Sequence, residues 1–161
     1  MLAKGLKVVF CGINPGMRSA TVGYHFATGS NRFWRVLHRS GFTPELVLPE
    51  NGRALLRYGC GLTSAVARPT VGANELTRSD FIAGRSNLER KIRTYAPRYL
   101  AFLGKPAVAA IFNLRQVAWG EQAVHFGATA VWVLPNPSGL NRAFSLDDLT
   151  TAYRELFAAA F

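Results

Sequence analysis

Cysteine is scarce: only Cys11 and Cys60 occur among 161 residues, and neither has a second Cys or a His at ligand spacing. That spacing excludes a zinc or iron–sulfur framework and points to a reducing compartment with two buried, unreactive thiols. Acidic residues are also few, nine against nineteen Lys and Arg. No apolar run approaches the roughly 18 residues that span a bilayer, and the opening MLAKGLKVVFCG enters a strand pattern without a signal-peptide core. A cytoplasmic protein with no membrane partner is expected. Also missing are a Walker loop, GxGxxG, HExxH and GxSxG, which removes the common phosphate-binding, dinucleotide, metalloprotease and serine-hydrolase readings.

The composition that remains, 49% hydrophobic and 17% charged, is that of a folded globular chain. Its length suits one domain, residues 1–161, and a monomer. The net charge is +10, unevenly spread: residues 1–74 hold nine basic and two acidic residues, and residues 75–161 hold ten and seven. Such a surplus favours a polyanion, because each phosphate neutralised releases counterions. The alternative is a basic surface that serves solubility alone.

Short β-rich apolar runs at 6–11, 99–103 and 130–134 read as buried strands. Between them lie helical spacings. Asn31 can cap a helix carrying Phe33, Val36 and Leu37, which Gly41 ends. Leu88, Ile92 and Tyr95 share a face before Pro97. Pro106 suits the first turn of another helix, which Asn113 could terminate. Ser145 with Asp148 can cap the last, whose stripe is Leu149, Ala152, Tyr153, Leu156 and Phe157. Alternating strands and helices predict an α/β fold, a three-layer α/β/α sandwich around a mostly parallel sheet. Trp34, Trp119 and Trp132 fall at core-like positions.

Two strands run straight into rigid loops, Gly12-Ile13-Asn14-Pro15-Gly16 and Pro135-Asn136-Pro137-Ser138-Gly139-Leu140-Asn141-Arg142. If both strands are parallel, both loops reach one sheet edge and share one cleft. Pro and Gly there can present backbone N–H groups to an anion or a base edge, although such strings are also ordinary turns. Neither loop holds a carboxylate, a His or a Cys nucleophile. Asn14 could therefore position and polarise a water but not take its proton. Rupture of an N-glycosidic bond suits so weak a group, since the sugar can develop oxocarbenium character before water arrives.

The strings VVFCGINPG, SNRFW, RPTVGANEL and VWVLPNPSGLNR resemble the mismatch-specific uracil-DNA glycosylase family, relatives of the thymine-DNA glycosylases, in the family's order from Leu6 to Tyr153. The iron–sulfur uracil glycosylases use four cysteines, and the main uracil-DNA glycosylase family has Asp where this chain has Asn14. The resemblance implies a monofunctional hydrolase that flips uracil out of DNA, preferentially from G:U mismatches, and leaves an abasic site, with no cofactor and no metal. Its substrate would be double-stranded DNA, with single strands, thymine and other damaged pyrimidines as further candidates.

It implies that Asn14 orients the attacking water, that Ile13 and Gly16 belong to the base pocket, and that Phe26 stacks on the flipped base. N–H groups near Ile13 and Phe26 would bind the base's carbonyl edges. Gly139, Leu140 and Arg142 would enter the gap left by the nucleotide, with Asn136 and Ser138 holding the loop or touching phosphate. Ser64 stands where a relative can carry Lys, and Ser19 is expected near the C5 side of the base; both bear on base range. Asp80 is read in two ways, as the cap of the helix starting there or as an alternative acid facing the cleft, with Glu75 a weaker case. Lys4, Lys7, Arg32, Arg35, Arg39 and Arg68 are candidate phosphate contacts, or simply a solvated face. A lesion-binding module that does not cut, and a small-nucleotide hydrolase, are the competing readings.

Overall fold

The computed structural model describes all residues 1–161. Five strands form one sheet: β1 Val8–Gly12, β2 Cys60–Ser64, β3 Tyr99–Leu103, β4 Gly120–Phe126 and β5 Thr129–Leu134, in the order β2-β1-β3-β5-β4. The β2, β1, β3 and β5 neighbours pair in parallel; only the edge strand β4 is antiparallel, to β5. The three predicted strands are the central three, β1, β3 and β5. Burial on both faces gives them the continuous apolar runs by which they were read.

The pleat divides each central strand between two cores. Val8, Phe10, Tyr99, Ala101, Leu103, Trp132 and Leu134 face α2 Phe33–Ser40, the 3₁₀ turns Pro49–Tyr58 and α5 Leu146–Ala160. Val9, Cys11, Leu100, Phe102, Val131 and Val133 face α3 Arg78–Tyr95 and α4 Lys105–Ile111. This is the expected three-layer α/β/α sandwich. A further short helix, α1 Met17–Val22, buries none of its residues. No helix is long and apolar enough to cross a membrane.

Several local readings meet the structure directly. Ser145 and Asp148 form a reciprocal capping box on α5, and Gly41 closes α2 in a left-handed conformation, φ 98°. Asn31 accepts from the Phe33 N–H, although Arg32 is the residue at the cap position. Two strands lacked a clear signal. β2, CGLTS, has too few branched residues, and β4, GEQAVHF, alternates polar and apolar as a half-exposed edge does. Trp34 and Trp132 are buried, but Trp119 is 43% exposed, which corrects its core reading. Its ring carries the Lys105 ammonium 4.3 Å from its centroid and meets the Phe144 ring edge-on.

Tyr153 of α5 is fully buried, and its hydroxyl donates to the Pro135 carbonyl at 3.1 Å, where β5 leaves the sheet. Tyr153→Phe leaves that buried carbonyl without its donor and should lower stability by about 1–2 kcal/mol. A denaturant titration should show a lower midpoint at an unchanged slope.

Candidate functional site

Because β1, β2, β3 and β5 all point the same way, their carboxyl ends open onto one edge, and there a cleft of about 860 Å³ is found. It gathers Ile13, Asn14, Gly16, Ser19, Phe26, Ser64, Asn136, Ser138, Gly139 and Leu140, which come from the loops after β1, α1 and β5, from α1 itself at Ser19 and from the end of β2 at Ser64. The conditional reading that two loops share a cleft is thus realised: β1 and β5 flank β3 in parallel. Arg142 and Asp80 do not line it.

The β1 loop is laid down by an extension of the β1–β2 ladder past the sheet. Ala65 N–H donates to the Gly12 carbonyl and Val66 N–H to that of Ile13. This brings residues 65–70 alongside Asn14, whose amide nitrogen donates to the Arg68 carbonyl and to Thr70 Oγ1, each at 2.8 Å. The Thr70 hydroxyl spends its own proton on the Gly72 carbonyl, 2.9 Å away, so toward Asn14 it can only accept. Turning the amide over would set Oδ1 against the Arg68 carbonyl, two acceptors face to face. Both N–H bonds are therefore committed, and Oδ1 is held as the free acceptor.

Phe26 forms another wall. Its φ of 54° is left-handed, a conformation that strains a bulky side chain by the order of 1–3 kcal/mol. The neighbouring chain holds it from several sides. Ser19 Oγ accepts from the Ala27 N–H, Arg18 Nε donates to the Ala27 carbonyl, and Trp34 Nε1 donates to the His25 carbonyl. The Phe33 ring stacks on Phe26 with centroids 4.1 Å apart. Phe26 also lies against Gly12, where an added Cβ would meet the ring at 3.4 Å. Ser19, expected beside the base, thus has its hydroxyl bonded to the backbone that sets Phe26. The N–H groups of Ile13 and Phe26 donate to no acceptor in the protein. Burial lowers the pKa of His25, which also lines the cleft, so its imidazole is neutral at pH 7.

The 135–142 loop is a network of short bonds. Asn136 Oδ1 accepts from the Ser138 N–H, Ser138 Oγ from the Leu140 N–H, and the Asn136 carbonyl from Asn141 Nδ2. Ser138 O accepts from the Asn141 N–H, closing a turn with Gly139 and Leu140 at its tip. Leu140 is left 85% exposed. The two loops use glycine differently from the expectation. Gly16 has an ordinary φ of −70° and open space at its Cβ position. Gly139 is needed for close approach, since a Cβ there would fall 2.7 Å from both Ser30 O and Ser30 Cβ.

Asp80 occupies the third position of α3 and completes a capping box with Thr77. Its carboxylate accepts from the Thr77 N–H at 2.7 Å, from the Thr77 hydroxyl, and from Arg68 at 3.4 Å. The Thr77 bonds, with Arg68 beside them, hold its pKa below the usual carboxylate value. It lines a neighbouring depression with Arg68 and Lys91. Glu75 likewise accepts from the Gly72 N–H. Burial pushes the Cys60 thiol up to about 12 and raises that of Cys11 further. Nowhere do three His, Cys, Asp or Glu side chains converge.

Of the candidate phosphate contacts, Lys4, Lys7 and Arg35 form no ion pair or side-chain hydrogen bond, Arg39 pairs with Asp147, and Arg68 pairs with Asp80. Arg32 is corrected: its guanidinium is turned onto backbone carbonyls of the 137–144 segment. Residues that sequence reasoning missed are Thr70, Ser30 and Val71, the last 84% exposed while lining the cleft. Thr70 and Val71 sit in the RPTV string, but nothing in their neighbours revealed that Asn14 lies against it.

The profile of the Uracil DNA glycosylase superfamily matches residues 2–159. The fold is shared with a solution NMR structure from Methanosarcina acetivorans, described as that of a candidate uracil DNA glycosylase. The TM-score is 0.59 at 20% identity, covering 97% of this chain and 94% of that one. With a superfamily match over almost every residue, and Asn14, Phe26 and Leu140 on one cleft at the carboxyl edge of its sheet, the chain belongs to the uracil DNA glycosylase superfamily.

Proposed function

We propose that this member excises uracil from DNA, with G:U mismatches as preferred substrate, by direct hydrolysis and without metal or cofactor. The observation that carries this reading is the Asn14 amide. Its nitrogen is committed to Arg68 and Thr70, which leaves Oδ1 as an acceptor on the cleft lined by Phe26. A water donating to Oδ1 keeps a lone pair free for C1′ of the sugar. Asn14 cannot remove the water's proton, so the bond between C1′ and N1 must be well stretched before attack.

As that bond breaks, its electron pair leaves with uracil. The free N–H groups of Ile13 and Phe26 are suited to stabilise the developing anion at its carbonyl oxygens. Water forms the new C1′–O bond, and the proton it sheds passes through solvent to the uracil anion. Phe26, strained and backed by Phe33, offers a fixed apolar surface for the flipped base. Leu140 at the loop tip is the wedge that occupies the vacated stack, and Arg142, exposed and unpaired, meets the opposite strand. Asp80 serves the capping box of α3 with Thr77.

The direct test uses end-labelled duplexes carrying U:G, U:A and T:G, and a single strand carrying U, incubated without added metal and then treated with alkali. Strand breaks that require alkali, strongest for U:G, support the reading. DNA binding without breaks on any substrate replaces it by a lesion-binding module.

Asn14→Ala should slow single-turnover excision by roughly 10²-fold or more with DNA affinity nearly intact. Unchanged turnover would remove Asn14 from the chemistry. Leu140→Ala should slow excision from paired duplex more than from single strands; equal rates for wild type and variant on U:A would count against the wedge. Asp80→Asn should keep excision within about threefold of wild type, since a cap affects stability first. Its contribution to stability is present above the unfolded carboxyl pKa and is lost as pH falls through the lowered folded value, so the variant should flatten the acid limb of the stability profile.

A further inference from the structure

Arg32 stands at the start of α2 without a carboxylate partner. Its side chain instead donates to four carbonyls of one loop. Nε reaches Pro137 O at 3.3 Å, Nη1 reaches Phe144 O at 2.6 Å, and Nη2 reaches Ser138 O and Asn141 O at 2.8 Å each. The Arg32 backbone N–H adds a further bond to Pro137 O at 2.9 Å. Four of the five guanidinium N–H bonds are thereby committed to residues more than a hundred positions away.

The arrangement has a definite consequence for the tip. Ser138 and Asn141 are the first and last residues of the turn that carries Leu140, and both of their carbonyls sit on the same Nη2. Closing that turn on a fixed cation holds Leu140 outward, where hydrophobic collapse would otherwise fold it back. Gly139 rests directly on Ser30, two residues before Arg32, so the tip is supported from below as well as clamped at its base. α2 is in turn fixed by the buried Phe33, Trp34, Val36 and Leu37.

We infer that Arg32 is a positioning residue that preorganises the Leu140 wedge, and so governs excision from paired DNA rather than binding phosphate. The inference rests on the wedge reading of Leu140. A loop that is already ordered loses less conformational freedom on entering the duplex. Only a planar fork spans these four acceptors; a lysine offers one point charge.

The test compares wild type, Arg32→Lys and Leu140→Ala on G:U duplex and on a duplex carrying uracil opposite an abasic gap, where no partner base is displaced. Arg32→Lys, like Leu140→Ala, should slow single-turnover excision from G:U tenfold or more and from the gapped duplex less than threefold. The salt slope of DNA binding should match wild type, whereas a lost phosphate contact reduces it by about 1. Hydrogen exchange should rise in residues 136–142 of free Arg32→Lys and stay unchanged over β1, β3 and β5.

Wild-type excision and loop protection in Arg32→Lys, with Leu140→Ala slow, overturn the positioning role alone. A neutral Leu140→Ala overturns the wedge reading, and Arg32 with it. Equal slowing on both substrates makes Arg32 merely structural. If Arg32→Lys does not fold, Gly139→Ala replaces it: the added Cβ must push off Ser30, displace the tip, and give the same split between substrates. Gly139→Ala at wild-type rates on both duplexes overturns the inference.

Discussion

The parallel alignment of β1, β3 and β5 is the constraint from which the site follows, because it sends three chain segments out of the sheet at the same edge. An antiparallel β5 would carry Leu140 to the far end of the molecule from Asn14. Parallel pairing also requires crossovers long enough to hold helices, and these supply the two apolar layers that bury the sheet. The same connections leave the residues between strand and helix free to bind. Stability and function are thereby separated in space: β1, β3 and β5 are almost wholly buried, while the connections leaving β1 and β5 hold the strained Phe26 and the exposed Leu140.

Those loops are rigid for different reasons. Around Asn14 the order comes from side-chain bonds to a neighbouring backbone segment, which fix which atom of an amide faces the cleft. Around Phe26 it comes from a strained residue gripped through its flanking peptide groups. Around Leu140 it comes from one guanidinium shared among carbonyls. In each case most polar groups of an irregular backbone are satisfied within the protein, the Ile13 and Phe26 N–H groups being left over on the cleft, and no buried side-chain N or O lacks a partner. A site so ordered can act with a weak catalytic group, since the solvent and chain reorganisation that a loose site would need has already been met during folding.

Much of this was legible in the sequence, and the reasons are local. The central strands announce themselves because both faces are buried, and the caps at Ser145 and Gly41 because their chemistry is confined to a few residues. The two motif loops were readable since each is fused to such a strand. What stayed hidden depends on contacts between distant positions. Asn14 and Thr70 are 56 residues apart, and nothing near either one predicts the orientation of the amide. Arg32 reads as a phosphate contact because no carboxylate lies near it in sequence; its partners are carbonyls, which carry no side-chain signature. Trp119 falls at a core-like position in the sequence, yet it sits exposed just before the edge strand β4 with the Lys105 ammonium over its ring.

The central claim is that one cleft holds the base against Phe26, the water on Asn14 and the wedge in the stack. A crystal structure of the protein on a G:U duplex with a 2′-fluorinated, uncleavable deoxyuridine tests all three at once. The account predicts uracil outside the helix beside Phe26, a water within hydrogen-bond reach of Asn14 Oδ1 and facing C1′, and Leu140 between the flanking bases. A uracil still stacked in the duplex, or one extruded elsewhere with Asn14 Oδ1 remote from C1′, would contradict it.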